Sequence, residues 1–418
     1  MLSLFTARTA FAFALLGAIH GAFAAPQPLT LGQAQQRAVA RSRQLGAQDQ
    51  AFAAAREMAV AAGQLPDPVL KAGIDNLPAT GPDRFSLGSD FMTMRRIGLS
   101  QELTHADKLR WRAERFRIEG EKSLAQKDVV QAAIERDTAI AWLELYYTGE
   151  MASAVAAQAV LSQHEMEAAQ AAYRGGRGNL GDIFAAKSAL LALDDRASDI
   201  KRRQRAAQTM LARWTGEETA VSGTPDIDHL GLDLATLDTA LAHHPGIAVL
   251  SKQEDIARAD ASLARANQRS DWSIEVAFQQ RGSAYPNMLS VGISVPLQWD
   301  RKNRQDRELA ARLAQVEQTK AERDEALREH VAETRNMIIA WESGRERIAR
   351  YARAALPLAS ERSQALLAAY RGGKALLAEV LAARRAEAEL RLQALELALE
   401  TARLWAQLNF LVPDQASK

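Results

Sequence analysis

The chain alternates between long stretches of mixed apolar and polar residues and short segments in which the two types alternate one by one. The stretch from Thr104 to Arg174 contains no proline, and its roughly 70 residues predict a helix of about 105 Å. Trp299 to Arg371 predicts a similar helix with a kink at Pro357. Helices of this length exceed the size of a globular domain and indicate coiled-coil-like packing.

Four further helices of about half that length are predicted. They span Leu31–Gly63, Asn179–Trp214, Thr236–Asn267 and Leu376–Asn409. Two half-length helices stacked end to end match one long helix. The pattern therefore predicts long helical rods that pack side by side.

Strands are predicted at about 67–77, 88–101, 271–281 and 287–297, because apolar residues there recur with period two. The alternation is regular in the last two segments, whereas Arg95 interrupts the apolar face of the second. Such strands suit an outer-membrane barrel with its apolar face in lipid. A small soluble antiparallel sheet is the alternative. Because four strands are too few to close a barrel, the first interpretation requires three copies and twelve strands.

The hexapeptide AAYRGG occurs twice, at Ala171–Gly176 and Ala368–Gly373. Each copy ends a long helix and precedes a shorter one, so each is predicted to form the tip of a helical hairpin, at about 173–180 and 370–376. Glycine suits such a turn because it adopts positive φ without strain. The chain is thus divided into a first repeat (25–223), a second repeat (224–413) and a C-terminal tail (414–418).

Residues 1–24 have the features of a secretory signal peptide: one Arg, an apolar run and the small-residue pattern Ala22-Phe23-Ala24. The whole chain contains 52 Lys and Arg, 51 Asp and Glu, and no Cys. Removal of the signal removes Arg8 and leaves a formal charge of zero, which argues against nucleic acid as a partner. The lack of cysteine excludes disulfides and acylation of an N-terminal Cys.

This organisation resembles TolC-like outer-membrane efflux proteins, and the resemblance covers about Leu29 to Pro413. Its most specific elements are YRGGRGNLGDIFAAKSALL and YRGGKALLAEVLAARRAEA, which begin at Tyr173 and Tyr370. The resemblance implies a homotrimer with a twelve-stranded transmembrane barrel and a long periplasmic helical tunnel. LPDP (Leu65–Pro68), IGLSQEL and the compact C-terminus resemble the heavy-metal branch of the cobalt–zinc–cadmium and copper–silver type.

The resemblance implies a passive outer-membrane duct. A periplasmic adaptor and a proton-driven inner-membrane pump of the RND type would complete a tripartite efflux system. The tips would dock the adaptor through two sets of four residues: Tyr173, Arg174, Gly175 and Gly176, with Tyr370, Arg371, Gly372 and Gly373. A turn that only closes the hairpin is the alternative for these residues.

Asp182 and Glu379 occupy equivalent positions after the two tips. Glu379 matches a position that carries a pore-constricting carboxylate in relatives, so three copies would form an acidic ring at a periplasmic gate. The second acidic position of the family pattern is Ala382 here, which departs from a double ring. A solvated helix carboxylate is the alternative for Glu379.

No paired acid and base, nucleophile or phosphate-binding loop is present in the sequence, so we expect no enzymatic activity and no cofactor. His243-His244 lacks further ligands nearby in sequence, and no metal site is predicted. The expected cargo is heavy-metal cations. Two alternatives remain: the same channel could serve drug efflux or type I protein secretion, or the chain could be a soluble periplasmic coiled-coil scaffold.

Overall fold

The computed structural model describes residues 27–176, 178–231 and 237–411. The predicted signal peptide (1–24) and tail (414–418) lie outside these ranges. The first repeat contains α1 (Leu31–Arg41), α2 (Arg43–Ala62), β1 (Val69–Asp75), β2 (Met94–Leu103), α3 (Ala106–Arg174) and α4 (Leu180–Thr215). The second contains α5 (Leu237–Ala242), α6 (Pro245–Ala266), β3 (Trp272–Gln280), β4 (Met288–Ser294), α7 (Gln305–Arg350), α8 (Leu356–Arg371) and α9 (Leu377–Asn409).

Helix α3 is the axis on which the other helices pack. It has 69 residues and is therefore about 105 Å long. It contacts α2 and α6 as well as α4 and α9, while α7 packs on α6 and α9. Within the described ranges, no helix is both long enough and apolar enough to cross a membrane.

The half-length rods are more segmented than the sequence predicts. The helix expected over 31–63 is interrupted at Ser42, whose hydroxyl accepts a hydrogen bond from the Leu45 N–H at 3.3 Å and so starts α2 as an N-cap. The end of α4 meets α1, because Arg41 Nη1 donates to the Thr215 carbonyl at 3.2 Å. The rods formed by α2, α1 and α4 are thus stacked end to end along α3.

The predicted kink at Pro357 is a local change of helix type. Residues Tyr351–Ala355 form a π-helical turn between α7 and α8, and Pro357 lies in the first turn of α8. Proline has no N–H to donate to the preceding turn, and a wider turn accommodates the carbonyl left without that partner.

The largest hydrophobic core lies midway along the rods, and tryptophans in it form hydrogen bonds to backbone carbonyls. Trp142 of α3 is 1% exposed, and its indole N–H donates to the Leu29 carbonyl at 2.8 Å. In the second repeat, the Trp341 indole of α7 donates to the Ile227 carbonyl at 3.0 Å. Each repeat therefore ties its long helix to the segment that leads into its first helix. A buried indole N–H needs such an acceptor.

The four strands form one antiparallel sheet in the order β1-β2-β3-β4. The central β2–β3 pair joins the two repeats, with Leu99 opposite Val276 and Ile97 opposite Phe278. Strand β2 begins at Met94 rather than near residue 88. The Asp90 carboxylate accepts hydrogen bonds from the N–H groups of residues 92 and 93, which holds that segment in a turn.

One face of the sheet is apolar and open. In the register of the ladders, this face carries Leu70, Ile97, Leu99, Ile274, Val276, Phe278, Leu289, Val291 and Ile293, and each of these side chains is at least 36% exposed. Arg95 also lies on this face, opposite Ile74 and Gln280 in the row next to the loops. In the described part of the chain, no helix covers the apolar face.

The opposite face carries charged groups that pair across strands. The Glu275 carboxylate of β3 accepts from Lys71 Nζ of β1 at 2.7 Å and is also paired with Arg96 of β2. Arg96 in turn lies 3.8 Å from the Asp75 carboxylate. The sheet is therefore two-sided, with apolar residues on one face and an ion network on the other.

The crossing of α7 and α9 leaves no room for a side chain at Gly344. A Cβ there would lie 2.3 Å from Thr401 Oγ1, and Thr401 is 1% exposed. We expect Gly344→Ala to lower the free energy of unfolding by about 1–3 kcal/mol, the usual cost of overpacking. Denaturant unfolding of the purified chain in detergent measures this.

Gly149→Ala is the matched control, because a Cβ at that helical position would meet only Gln204 Nε2, at 3.8 Å. Alanine there favours the helix by up to about 1 kcal/mol. Equal stability of the two variants would contradict the close approach of α7 to α9.

Candidate functional site at the two hairpin tips

The two AAYRGG segments form the same turn in both repeats. Helices α3 and α8 end at Arg174 and Arg371. The first glycine of each pair has a φ of −82°, whereas the second has a positive φ, which is +70° at Gly176 and +73° at Gly373. The prediction that glycine turns the chain through positive φ is confirmed for the second glycine of each pair.

Backbone hydrogen bonds close each turn. The Gly176 N–H donates to the Tyr173 carbonyl at 3.0 Å, and the Gly373 N–H donates to the Tyr370 carbonyl at 2.9 Å. In the second tip the Lys374 N–H also reaches the Ala369 carbonyl at 2.8 Å. These bonds satisfy carbonyls that a helix end leaves free.

The two tips lie together and share a small hydrophobic cluster. Ala169 and Ala186 come from the first hairpin, and Leu377, Val380 and Leu381 come from the second. Tyr370 packs against this cluster, whereas Tyr173 is 46% exposed. The repeated tyrosines therefore have different surroundings: one supports the tip and the other is open to a partner.

Both repeated arginines project from the tip surface. Arg174 and Arg371 are exposed and form no ion pair with a residue that the structure describes. The tip thus presents two free guanidinium groups beside an exposed tyrosine. Guanidinium groups suit bidentate bonding to a carboxylate or to a partner's backbone.

Asp182 and Glu379 lie in the first turns of α4 and α9. The Glu379 carboxylate accepts a hydrogen bond from the Leu376 N–H at 2.9 Å. In the first repeat the Asn179 side chain accepts from the Asp182 N–H at 2.8 Å. Each helix start therefore uses one half of a capping box, and Glu379 has a local role in capping α9 as well as its predicted role in a gate.

A buried polar cluster that the sequence did not reveal joins the two hairpins just above the tips. Arg384 of α9 lies 3.4 Å from the Glu165 carboxylate of α3 and 3.2 Å from that of Glu387. Its Nη1 also donates to Ser363 Oγ of α8 at 3.2 Å. The side chains of Arg384 and Glu165 are 12% and 9% exposed. One guanidinium therefore connects three helices.

The Arg384 cluster contains two carboxylates and one guanidinium. Glu165 Oε2 is buried without a hydrogen-bond partner, and burial raises the pKa of the Glu165 carboxyl although Arg384 opposes the shift. Loss of one partner from a buried pair usually costs about 3–5 kcal/mol. The only sequence signal for Arg384 is its position as an arginine within an alanine-rich helix.

Two of the histidines, His244 and His330, form a pair far from the tips. The His244 ring lies 4.3 Å from that of His330, centroid to centroid, and its Nδ1 accepts from the Gly246 N–H at the start of α6. Burial and the neighbouring His330 lower the pKa of His244 to about 4. Among the described residues, no three His, Cys, Asp or Glu side chains are arranged to hold a metal ion.

No family model matches the chain, and no curated protein is similar to it in sequence. Solved structures do share its fold. The outer-membrane channel OprN has a TM-score of 0.75 at 16% identity, with 92% of this chain and 90% of that chain covered. CusC, described for its transmembrane channel formation, has a TM-score of 0.76 at 14% identity, with 91% of each chain covered.

The CmeC outer membrane channel of Campylobacter jejuni gives a TM-score of 0.76 at 11% identity, with 98% of this chain and 93% of that chain covered. These proteins are TolC-like channels with a helical barrel and few strands per chain. The chain therefore has the fold of the TolC-like channels, as the sequence resemblance implied.

The raised pKa of Glu165 predicts a pH dependence with a definite sign. A folded-state pKa above the unfolded value of 4.5 means that the folded chain binds a proton more readily, so this group's contribution to stability falls as pH rises through the folded pKa. Glu165→Gln cannot lose a proton. We therefore expect the stability of this variant, relative to wild type, to increase from pH 4.5 to neutral pH.

Glu167→Gln is the control, because Glu167 is exposed and accepts only from Gln163 within its own helix. Unfolding midpoints measured across that pH range test the prediction. A stability difference between Glu165→Gln and wild type that stayed constant with pH, or fell as pH rose, would contradict it.

Proposed function

We propose that the chain is the outer-membrane channel subunit, or exit duct, of a tripartite efflux system, and that it acts as a homotrimer in the bacterial outer membrane. One observation carries this proposal: an apolar sheet face and two unpaired sheet edges lie at one end of helical rods far too long to cover them. The fold shared with OprN, CusC and CmeC supports it.

Closure of the sheet requires other copies of the chain. Strands β1 and β4 each have one neighbour in the sheet of the described chain, so each leaves a row of backbone N–H and C=O groups unpaired. Lipid cannot satisfy such groups, whereas β4 of one copy can pair with β1 of the next. Three copies give twelve strands, which is within the usual range of outer-membrane barrels.

The duct is passive in this proposal. The charged face of the sheet and the interior of the rods enclose water, and an inner-membrane pump of the proton-driven RND type supplies the energy through a periplasmic adaptor. No enzymatic step and no cofactor belong to this function. The structures named above are described as channels or for channel formation, which supports a transport role rather than catalysis.

The hairpin tips are proposed to dock the adaptor and to form the periplasmic gate. Arg174 and Arg371, with the exposed Tyr173, supply the polar contacts, while Gly175, Gly176, Gly372 and Gly373 allow close approach. Asp182 and Glu379 would line the gate, with Glu379 keeping its hydrogen bond to the Leu376 N–H. Heavy-metal cations are the proposed cargo, on the basis of the sequence resemblance to the heavy-metal branch.

Planar-bilayer conductance tests the duct directly. The full chain, extracted from outer membranes with detergent, is expected to run as a heat-modifiable trimer and to give long-lived water-filled conductance after reconstitution. Recovery of the chain in the soluble periplasmic fraction, with no conductance, would favour the coiled-coil scaffold and reject the channel.

Docking at the tips is tested by Arg174→Glu with Arg371→Glu in the native host. Both side chains are exposed, so charge reversal should leave the fold intact. Resistance to cobalt, zinc, cadmium, copper and silver salts is expected to fall to that of a deletion strain, while the amount of trimer is unchanged.

The matched control for this docking test is Arg353→Glu, an exposed arginine in the π-helical turn away from the tips, which should keep full resistance. Full resistance in the tip variant would rule out the docking assignment. A deletion strain sensitive to drugs but not to metal salts would support the drug-efflux alternative for the cargo.

A further inference from the structure

Basic residues are concentrated where the strands meet the long helices. Residues 104–117 contain five Lys or Arg and two Asp or Glu, and residues 299–312 contain five and three. Over the whole chain the two types are nearly equal, at 52 and 51. The two segments occupy equivalent places in the repeats, one at the start of α3 and the other at the start of α7. We refer to them together as the basic collar.

The collar adjoins the edge of the apolar sheet face. Trp272, the first residue of β3, pairs with Leu103 on that face and is 49% exposed. Beyond β4, every second residue after Val291 and Ile293 is also apolar. This run ends at Trp299, which is 88% exposed. Exposed tryptophans of this kind mark the boundary between hydrocarbon and headgroups in membrane proteins.

Three cations of the collar follow Trp299 without a partner. Lys302, Arg304 and Arg307 are exposed, and none forms an ion pair with a described residue, whereas neighbouring Arg301 is paired with Asp306 at 3.0 Å. Arg304 also lines a cavity of about 360 Å³ together with Trp272 and Trp299. The cavity thus combines aromatic walls with a free guanidinium.

Glu102, Asp271 and Asp300 also line this cavity, and each accepts a hydrogen bond, that of Glu102 coming from Thr104 Oγ1 at 3.3 Å. The Asp271 carboxylate accepts from Lys108 Nζ at 2.7 Å, and that of Asp300 accepts from Asn303 Nδ2 at 2.8 Å. The Asp107 carboxylate lies 3.3 Å from Arg110 of the collar and 3.6 Å from Arg269, and that of Asp260 lies 3.1 Å from Arg115 and 3.9 Å from Arg312. Because the two collar segments together contain ten Lys or Arg and five Asp or Glu, the net charge of the collar is positive.

We propose that the basic collar binds the headgroups of anionic phospholipids in the periplasm-facing leaflet, with Lys302, Arg304 and Arg307 holding the phosphate and Trp272 and Trp299 packing on the glycerol and upper acyl chain. The proposal rests on the proposed outer-membrane location. Charge complementarity selects the occupant: basic pockets at a membrane surface favour anionic over zwitterionic headgroups, and long cationic side chains reach the phosphate level from an apolar stem.

Lipid retention in detergent tests this proposal. The full chain is incubated with equal amounts of phosphatidylglycerol and phosphatidylethanolamine of the same acyl chains, and the lipids that co-elute are counted by mass spectrometry. Wild type is expected to retain the anionic lipid preferentially at low salt. The preference should fall by about fivefold for each side chain neutralised among Lys302→Gln, Arg304→Gln and Arg307→Gln.

The control is the triple variant Lys187→Gln, Arg347→Gln and Arg353→Gln, which removes the same charge from exposed positions on the rods and should retain the wild-type preference. Salt at about 1 M, where the screening length is about 3 Å, should abolish the preference of wild type. This salt titration needs no variant, so the proposal stays testable even if the collar variants do not assemble.

Equal retention of the two lipids by wild type would overturn the proposal, as would an unchanged preference in all collar variants. An equal loss of preference in the control would attribute the effect to net charge alone. Displacement of the lipid by inorganic phosphate would assign the collar to free anions, and dissociation of the trimer in the single variants would assign it to contacts between copies. None of these results affects the conductance test, so the two proposals fail separately.

Discussion

The unpaired edges of the four-stranded sheet are the constraint on which the account of this molecule depends. Each edge strand uses its backbone groups on one side only, and the apolar face beside it has no cover within the described chain. In water such a sheet would aggregate, and in lipid an open edge is prohibitively costly. A neighbour that supplies a complementary edge removes both problems. The chain itself carries that complement, because it begins its sheet with β1 and ends it with β4.

The helices place this sheet at the end of a long, stiff support. The core at mid-length and its tryptophan–carbonyl bonds fix the half-length helices against α3 and α7. Near the other end, the small cluster shared by the tips and the Arg384 cluster join the two repeats. The tip cluster is much smaller than the mid-length core. Stability is therefore concentrated in the middle of the rods, and the tips are the part that a partner or a change in protonation can alter at least cost.

Much of this architecture could be predicted from sequence because it depends on local patterns. Helix length follows from proline-free stretches, the strands follow from period-two alternation, and the hairpin tips follow from the repeated AAYRGG. Glycine at the second position of each pair is required by its positive φ, at Gly176 and Gly373. The resemblance to TolC-like proteins rested on these same segments, and the fold agrees with it.

The features that sequence did not predict depend on contacts between distant residues or on small energetic balances. The break between α1 and α2 at Ser42 contains neither glycine nor proline, so the sequence pattern did not predict it. A single hydrogen bond from the Ser42 side-chain cap fixes its position. Glu165 and Arg384 meet only because the two hairpins lie side by side, and His244 meets His330 through the packing of α6 on α7. The hydrogen bond by which Glu379 caps α9 could be recognised only when the first residue of α9 was known.

Cysteine cross-linking between the two sheet edges tests sheet closure most directly, since the natural chain has no cysteine. Gly73→Cys on β1 would be combined in turn with Ser290→Cys, Gly292→Cys or Ser294→Cys on β4. Within one chain these strands lie about 14 Å apart, too far for a disulfide. Closure of the sheet by three copies predicts covalent dimers and trimers in membranes, with a ladder that ends at three copies. Absence of cross-links at every β4 position, or a ladder that continues beyond three, would contradict it.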